Sequence, residues 1–150
     1  MTEIAFHINI ANPLEHVQRL LQKIWKSEAK AVLIAPDAFL QELSQALWAQ
    51  TPSSFWAHSF ARDDAALQAA GGLVLCTPEE ALQFAAPDSR VLLQWHHVDV
   101  PVAGFERYPR FIELVPSQDA AKAAARQRWK YYQTRGYALK MHDMQAPRPA

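Results

Sequence analysis

Residues 31–35, AVLIA, form an unbroken apolar run directly after Lys30. A strand with one face in water alternates apolar and polar residues, so an unbroken run marks a strand covered on both faces, as in parallel sheets. The flanking sequence agrees. Upstream, Leu14, Val17, Leu21, Ile24 and Trp25 recur at helical spacing, with Asn12 placed to cap, Pro13 at the first helical position and Glu15 in the first turn. Downstream, Asp37 is placed to cap a second helix that turns Phe39, Leu40, Leu43 and Leu47 inward and runs into Trp48 before Thr51 and Pro52. Ahead of the first helix, Ile4, Phe6, Ile8 and Ile10 alternate with Ala5, His7 and Asn9, the period of a strand. Strand, helix, strand, helix predicts an α/β fold with a mostly parallel sheet.

The remaining chain extends that pattern. Phe55 to Phe60 reads as a short strand before a loop over residues 61–72, and Leu73 to Cys76 as another strand. Thr77, Pro78, Glu79 and Glu80 spell a capping box that opens a short helix to Phe84. Val91 to Trp95 and Phe111 to Val115 are the last expected strands, and Pro116 closes the second of them. A helix then spans residues 117–135, with Ser117 as its expected cap, Asp119 near its positive end and Gly136 as a left-handed stop. Residues 141–150, MHDMQAPRPA, lack an apolar period and are expected to be a frayed tail beyond a single domain of residues 1–140.

Charge is distributed unevenly along this framework. The formal net charge is +0, but residues 107–140 hold eight Lys/Arg against Glu113 and Asp119, a balance of +6. Residues 1–106 hold six against twelve acids, a balance of −6. On the helix of residues 117–135, Lys122, Arg126 and Lys130 stack four apart, with Trp129 beside them. Cations in a row repel one another, so the row costs stability unless something acidic comes to it. A patch this local suits a small acidic ligand, such as a peptide tail or a short phosphate run, better than a long duplex. The competing reading is a solvated basic face. Arg128 falls in the alanine sector with Ala121, Ala124, Ala125 and Tyr132, where it is expected to lay its stem on the core and pair with an acid.

Signals for chemistry are few. The sequence has no G-x-G-x-x-G, no P-loop, no G-x-S-x-G and no H-E-x-x-H, and its four glycines leave little material for a phosphate-cradling loop, so no cofactor is expected. His96, His97 and Asp99 are adjacent, but consecutive residues at a strand end point to opposite faces, which argues against a metal site. Cys76, the one cysteine, reads as a buried apolar residue rather than a nucleophile paired with His58. His7 reads as a surface or hydrogen-bonded core histidine. An enzyme on this fold would place its residues at the carboxyl ends of the strands, near Asn9, Pro36 and Asp37, where no acid/base constellation stands. With no leader segment and no membrane-length apolar run, the expected location is the cytoplasm.

Two blocks, QALWAQTPSSFWAHS (residues 45–59) and FIELVPSQDAAKAAARQRWKYYQTRGYAL (residues 111–139), resemble the chi subunit of bacterial DNA polymerase III, the accessory protein associated with the clamp loader. The N-terminal strand and helix agree with that family in spacing. The resemblance implies a Rossmann-like three-layer fold without catalytic activity. It also implies two partners, the psi subunit and the acidic C-terminal tail of single-stranded-DNA-binding protein, with DNA reached only indirectly. Carried over by position, Val115, Lys122, Arg126, Trp129 and Lys130 would hold the tail, and Trp48 and Phe55 would contact psi. Trp129 stands where the family leads one to expect tyrosine, which keeps an aromatic wall. The alternative is a single-stranded nucleic-acid binder that lays the basic helix on phosphates and stacks Trp129 and Tyr131 on bases.

Overall fold

Seven parallel strands form one sheet in the computed structural model, which describes residues 2–27, 29–49, 58–60, 72–81, 91–95 and 104–144. The strands are β1 (Glu3–Ile10), β2 (Ala31–Ile34), β3 (His58–Phe60), β4 (Leu73–Cys76), β5 (Val91–Gln94), β6 (Arg110–Pro116) and β7 (Leu139–Asp143). They lie in the order β3-β4-β2-β5-β6-β1-β7, and every pairing among the described residues is parallel. The helices are α1 (Pro13–Lys26), α2 (Asp37–Trp48), the short α3 (Pro78–Ala81) and α4 (Asp119–Thr134), with a 3-10 turn at Phe105–Arg107. Among the described residues no helix is long and apolar enough to cross a membrane.

The AVLIA run behaves as its composition demands. Ala31, Leu33 and Ala35 pack into one core with Val17, Leu21, Leu40 and Leu43 from α1 and α2. Val32 and Ile34 turn to the other face and join a core containing Phe111, Ala121, Ala125 and Tyr132. Helices therefore cover both faces, giving the three-layer α/β sandwich. Each large apolar side chain buried in this way contributes roughly 1.5–3 kcal/mol.

Local signals set the element ends. Asn12 Oδ1 accepts from the Glu15 amide at 3.2 Å, and Pro13 opens α1. At α3 the capping box closes reciprocally: Thr77 N–H donates to Glu80 Oε1 at 2.9 Å, and Glu80 N–H donates to Thr77 Oγ1 at 3.2 Å. Gly136 ends α4 at φ +81°, its N–H on the Gln133 carbonyl and the Tyr137 N–H on that of Tyr132, a Schellman motif with the Tyr132 and Tyr137 rings 6.3 Å apart.

Four expectations need correction. Pro36, not Asp37, occupies the cap position of α2, so Asp37 is already helical and acts through its charge at the positive end. Ser117 does not cap α4; Gln118 takes that position without a side-chain bond, because leaving β6 after Pro116 uses both residues to turn. Ile10 joins the α1 side although Phe6 and Ile8 face α4, because Asn9 adopts φ +59° and the β1–β6 register shifts between His7 and Ile10. Residues 141–143 are not frayed. They complete β7, which pairs with β1 from Ile4↔Leu139 to Ile8↔Asp143. Residues 145–150 lie outside the described residues.

The helix on the second face is fixed by a buried ion pair. Glu113 sits on β6 with 0% exposure, and its Oε2 accepts from Arg128 Nε and from the Tyr132 hydroxyl at 3.2 Å. Arg128, itself 1% exposed, thus pairs with an acid as its place in the alanine sector predicts. Burial holds the Glu113 carboxyl above its ordinary range, opposed by the Arg128 charge and both hydrogen bonds. Removing one partner of such a pair strands the other charge in the core at a cost of about 3–5 kcal/mol. Arg128→Met should therefore lower the unfolding free energy by about that amount in urea titrations, while Arg128→Met with Glu113→Gln, which leaves Tyr132 an acceptor, recovers more than half of it. A double variant as unstable as the sum of the two single changes would show that the charges are not coupled.

Candidate functional site

The inward sector of α4, Ala121, Ala124, Ala125, Arg128 and Tyr132, is buried, as its spacing predicts. Tyr132 is the centre of an aromatic cluster, with ring centroids of Phe105 at 5.2 Å, Phe6 at 6.0 Å and Phe111 at 6.1 Å. With this sector anchored, Arg126 and Lys130 are exposed and Lys122 is half-buried along the outer margin.

Between that margin and the carboxyl ends of β1, β6 and β7 lies a groove of about 390 Å³. Its floor is apolar: Phe6, Ile8, Val115 and Ala125. Trp129 forms a wall, its ring 5.1 Å from Phe6 at an interplanar angle of 65°. Lys122, Arg126 and Lys130 line it from the helix, and among the described residues no carboxylate does. Among the described residues none of these three cations makes an ion pair. On the β7 side stand Asn9 and Met141, the latter 55% exposed. Asn9 Nδ2 donates to Asp143 Oδ1 at 2.9 Å, while Asn9 Oδ1 is buried with no hydrogen-bond partner among the described residues. Such a site can take a short segment that is anionic along its length and apolar at one point.

All five residues expected to hold a tail, Val115, Lys122, Arg126, Trp129 and Lys130, line this one groove. Sequence reasoning missed Phe6, Ile8, Asn9, Gln133 and Met141. The alternation in β1 marks Phe6 and Ile8 as inward, but nothing local says that β1 lies between β6 and β7. The other candidates are not brought to the groove. Cys76 is buried, and burial, with the Glu80 charge, pushes its thiol up to about 12, which keeps it protonated and a poor nucleophile. His7 lies on the opposite face of β1, with Nδ1 3.1 Å from His16 Nε2. Trp48 ends α2, but its side chain, the side chain of His58, and Phe55, His96, His97 and Asp99 altogether lie outside the described residues.

The family model described as DNA polymerase III chi subunit, HolC, matches residues 1–140. A relative from Pseudomonas aeruginosa, named DNA polymerase III subunit chi, is 31% identical over 150 residues, covering 96% of this chain and 98% of its own length. The chain therefore belongs to the DNA polymerase III chi subunit family.

Proposed function

We propose that this chain joins the clamp-loader complex to single-stranded-DNA-binding protein, holding the acidic C-terminal tail of that protein in the groove beside α4 while the psi subunit engages Trp48 and Phe55. As a chi subunit it is an accessory protein of DNA polymerase III and serves DNA replication. In this reading it has no active site of its own, takes no cofactor and works in the cytoplasm, and its tail groove and psi surface reach DNA only indirectly, through those partners.

One observation carries the tail assignment: a single groove combines an apolar floor with three cations that have no carboxylate partner among the described residues. The tail's acids would relieve the repulsion along Lys122, Arg126 and Lys130, and its last aromatic ring would fill the floor beside Val115 and Trp129. Asn9 Oδ1 lacks a donor, which a peptide N–H supplies and a phosphodiester does not. Base stacking is less well served, because Trp129 is half-buried against Phe6 and the Arg135 guanidinium covers one face of Tyr131, 3.9 Å from the ring centroid.

Arg126 should contribute most, since it lies mid-row and its planar fork can hold a carboxylate through two hydrogen bonds. In a fluorescent tail-peptide titration, Arg126→Ala should weaken binding about tenfold to a hundredfold, and Arg126→Lys should also weaken it. Added salt should reduce affinity only in part, because the aromatic contact is not screened. Equal affinity of wild type and Arg126→Ala, or undiminished binding of a peptide lacking its terminal aromatic, would refute the assignment. For the second surface, Trp48→Ala or Phe55→Ala should cost psi binding about 2 kcal/mol or more with little change in Tm. A large fall in Tm without a binding-specific loss would assign these residues to the core instead.

A further inference from the structure

Across β1 and β7 from the tail groove, on the α1 side of the sheet, lies a second concavity of about 390 Å³. Three imidazoles meet there from three elements. His7 and His142 are register partners on β1 and β7, so their side chains share one face, with ring centroids 5.2 Å apart. His16 comes from α1, its ring 5.3 Å from that of His7. Arg19 and Lys23, three and seven residues further along α1, extend the same helix face into the lining. Glu15 meets Arg19 at 3.5 Å, but both side chains are more than half exposed (58% and 61%), so water weakens that pair. The other charges on the packed elements are Lys26 at the end of α1, Glu3 and its register partner Arg110, Glu113 on β6, which pairs with Arg128 on the other face, Lys140 two residues before His142, and Asp143, held by Asn9.

This crowding of cationic groups acts on the imidazoles. Burial, then His16, His142, Lys23 and Arg110, lower His7 to about 4, and burial, Arg19 and Lys23 also lower His16. Both are neutral at pH 7, and one donates to the other across the 3.1 Å contact of His7 Nδ1 with His16 Nε2, which leaves the pair one ring N–H to donate outward beside Arg19 and Lys23. A metal cation is the wrong occupant, because Arg19 and Lys23 repel it, and no trio of His, Cys, Asp or Glu among the described residues has the arrangement to hold one. A tetrahedral oxyanion fits. It offers several acceptor oxygens to donors that converge from different directions, where a carboxylate offers two.

From these contacts we infer that the concavity formed by His7, His16, Arg19, Lys23 and His142 binds a phosphate group, either free or in the backbone of single-stranded DNA. A bound phosphate, whether the free ion or a singly charged phosphodiester, would oppose the field of Arg19 and Lys23 and favour protonation of His7 and His16, so binding takes up protons at these two rings. This site is separate from the tail groove.

The test is an NMR titration of the full chain, following the histidine ring signals, with inorganic phosphate in one series and a short oligothymidylate in another, at about pH 6 and about pH 8. Saturable shifts of His7, His16 and His142 are expected; affinity for the oligonucleotide, whose phosphodiesters stay singly charged across this range, should be at least about tenfold higher at the lower pH, whereas inorganic phosphate itself gains a proton between the two. Saturation by inorganic phosphate assigns free phosphate as sufficient, and saturation by the oligonucleotide alone assigns the nucleic-acid backbone. Arg19→Ala with Lys23→Ala, both at exposed helical positions, should weaken binding about tenfold or more, and Arg126→Ala on the opposite face should leave it unchanged. Absence of saturable shifts in both series, or shifts that persist undiminished in the Arg19 and Lys23 double variant, would overturn the inference.

Discussion

The contact of Glu113 with Arg128 sets the rotation of α4 against the sheet, and the groove depends on that rotation. A helix held only by alanines has little to define its angle about its own axis, since small apolar side chains pack nearly as well after a modest turn. A buried carboxylate that accepts from both Arg128 and Tyr132 removes that freedom, because turning the helix would leave charges unpaired in the core. With Arg128 and Tyr132 locked inward, Lys122, Arg126 and Lys130 are left along the outer margin. The pair is thus better understood as a device for orientation than as a source of net stability.

The groove's second wall, β7, follows α4 directly in the chain. β7 stands at the sheet edge and is largely exposed, so it is held chiefly by main-chain bonds to β1 rather than by a buried face. The Schellman turn at Gly136 redirects the chain onto β1, and the Asn9 to Asp143 bond ties the end of β7 to the bulge in β1. Apolar floor and cationic margin therefore arise from residues distant in sequence. Phe6 and Ile8 come from one end of the chain, and Met141 from the other.

Much of the fold was legible because its signals are local. The AVLIA run, the Asn12 and Thr77 caps and the Gly136 stop each depend on a few consecutive residues, and each appears as read. What escaped the sequence was non-local. Residues 141–150 show no apolar period because β7, at the sheet edge, leaves Met141, His142 and Asp143 exposed, so periodicity had no purchase there. The switch of Ile10 to the other face follows from one left-handed residue, Asn9, within an otherwise regular alternation. The cationic row of the site was readable from helical spacing, whereas its floor required knowing that β1 lies between β6 and β7.

The central claim is that an acidic tail lies along Lys122, Arg126 and Lys130 with its terminal aromatic ring on the floor of the groove. Intermolecular NOEs between that ring, in a short acidic peptide, and the methyl groups of this chain test it most directly. The account predicts contacts to Ile8 and Val115, accompanied by ring protons of Trp129. Contacts to methyls on the other face of the sheet, such as those of Leu20, or a peptide that binds with its aromatic ring free of any methyl contact, would contradict it.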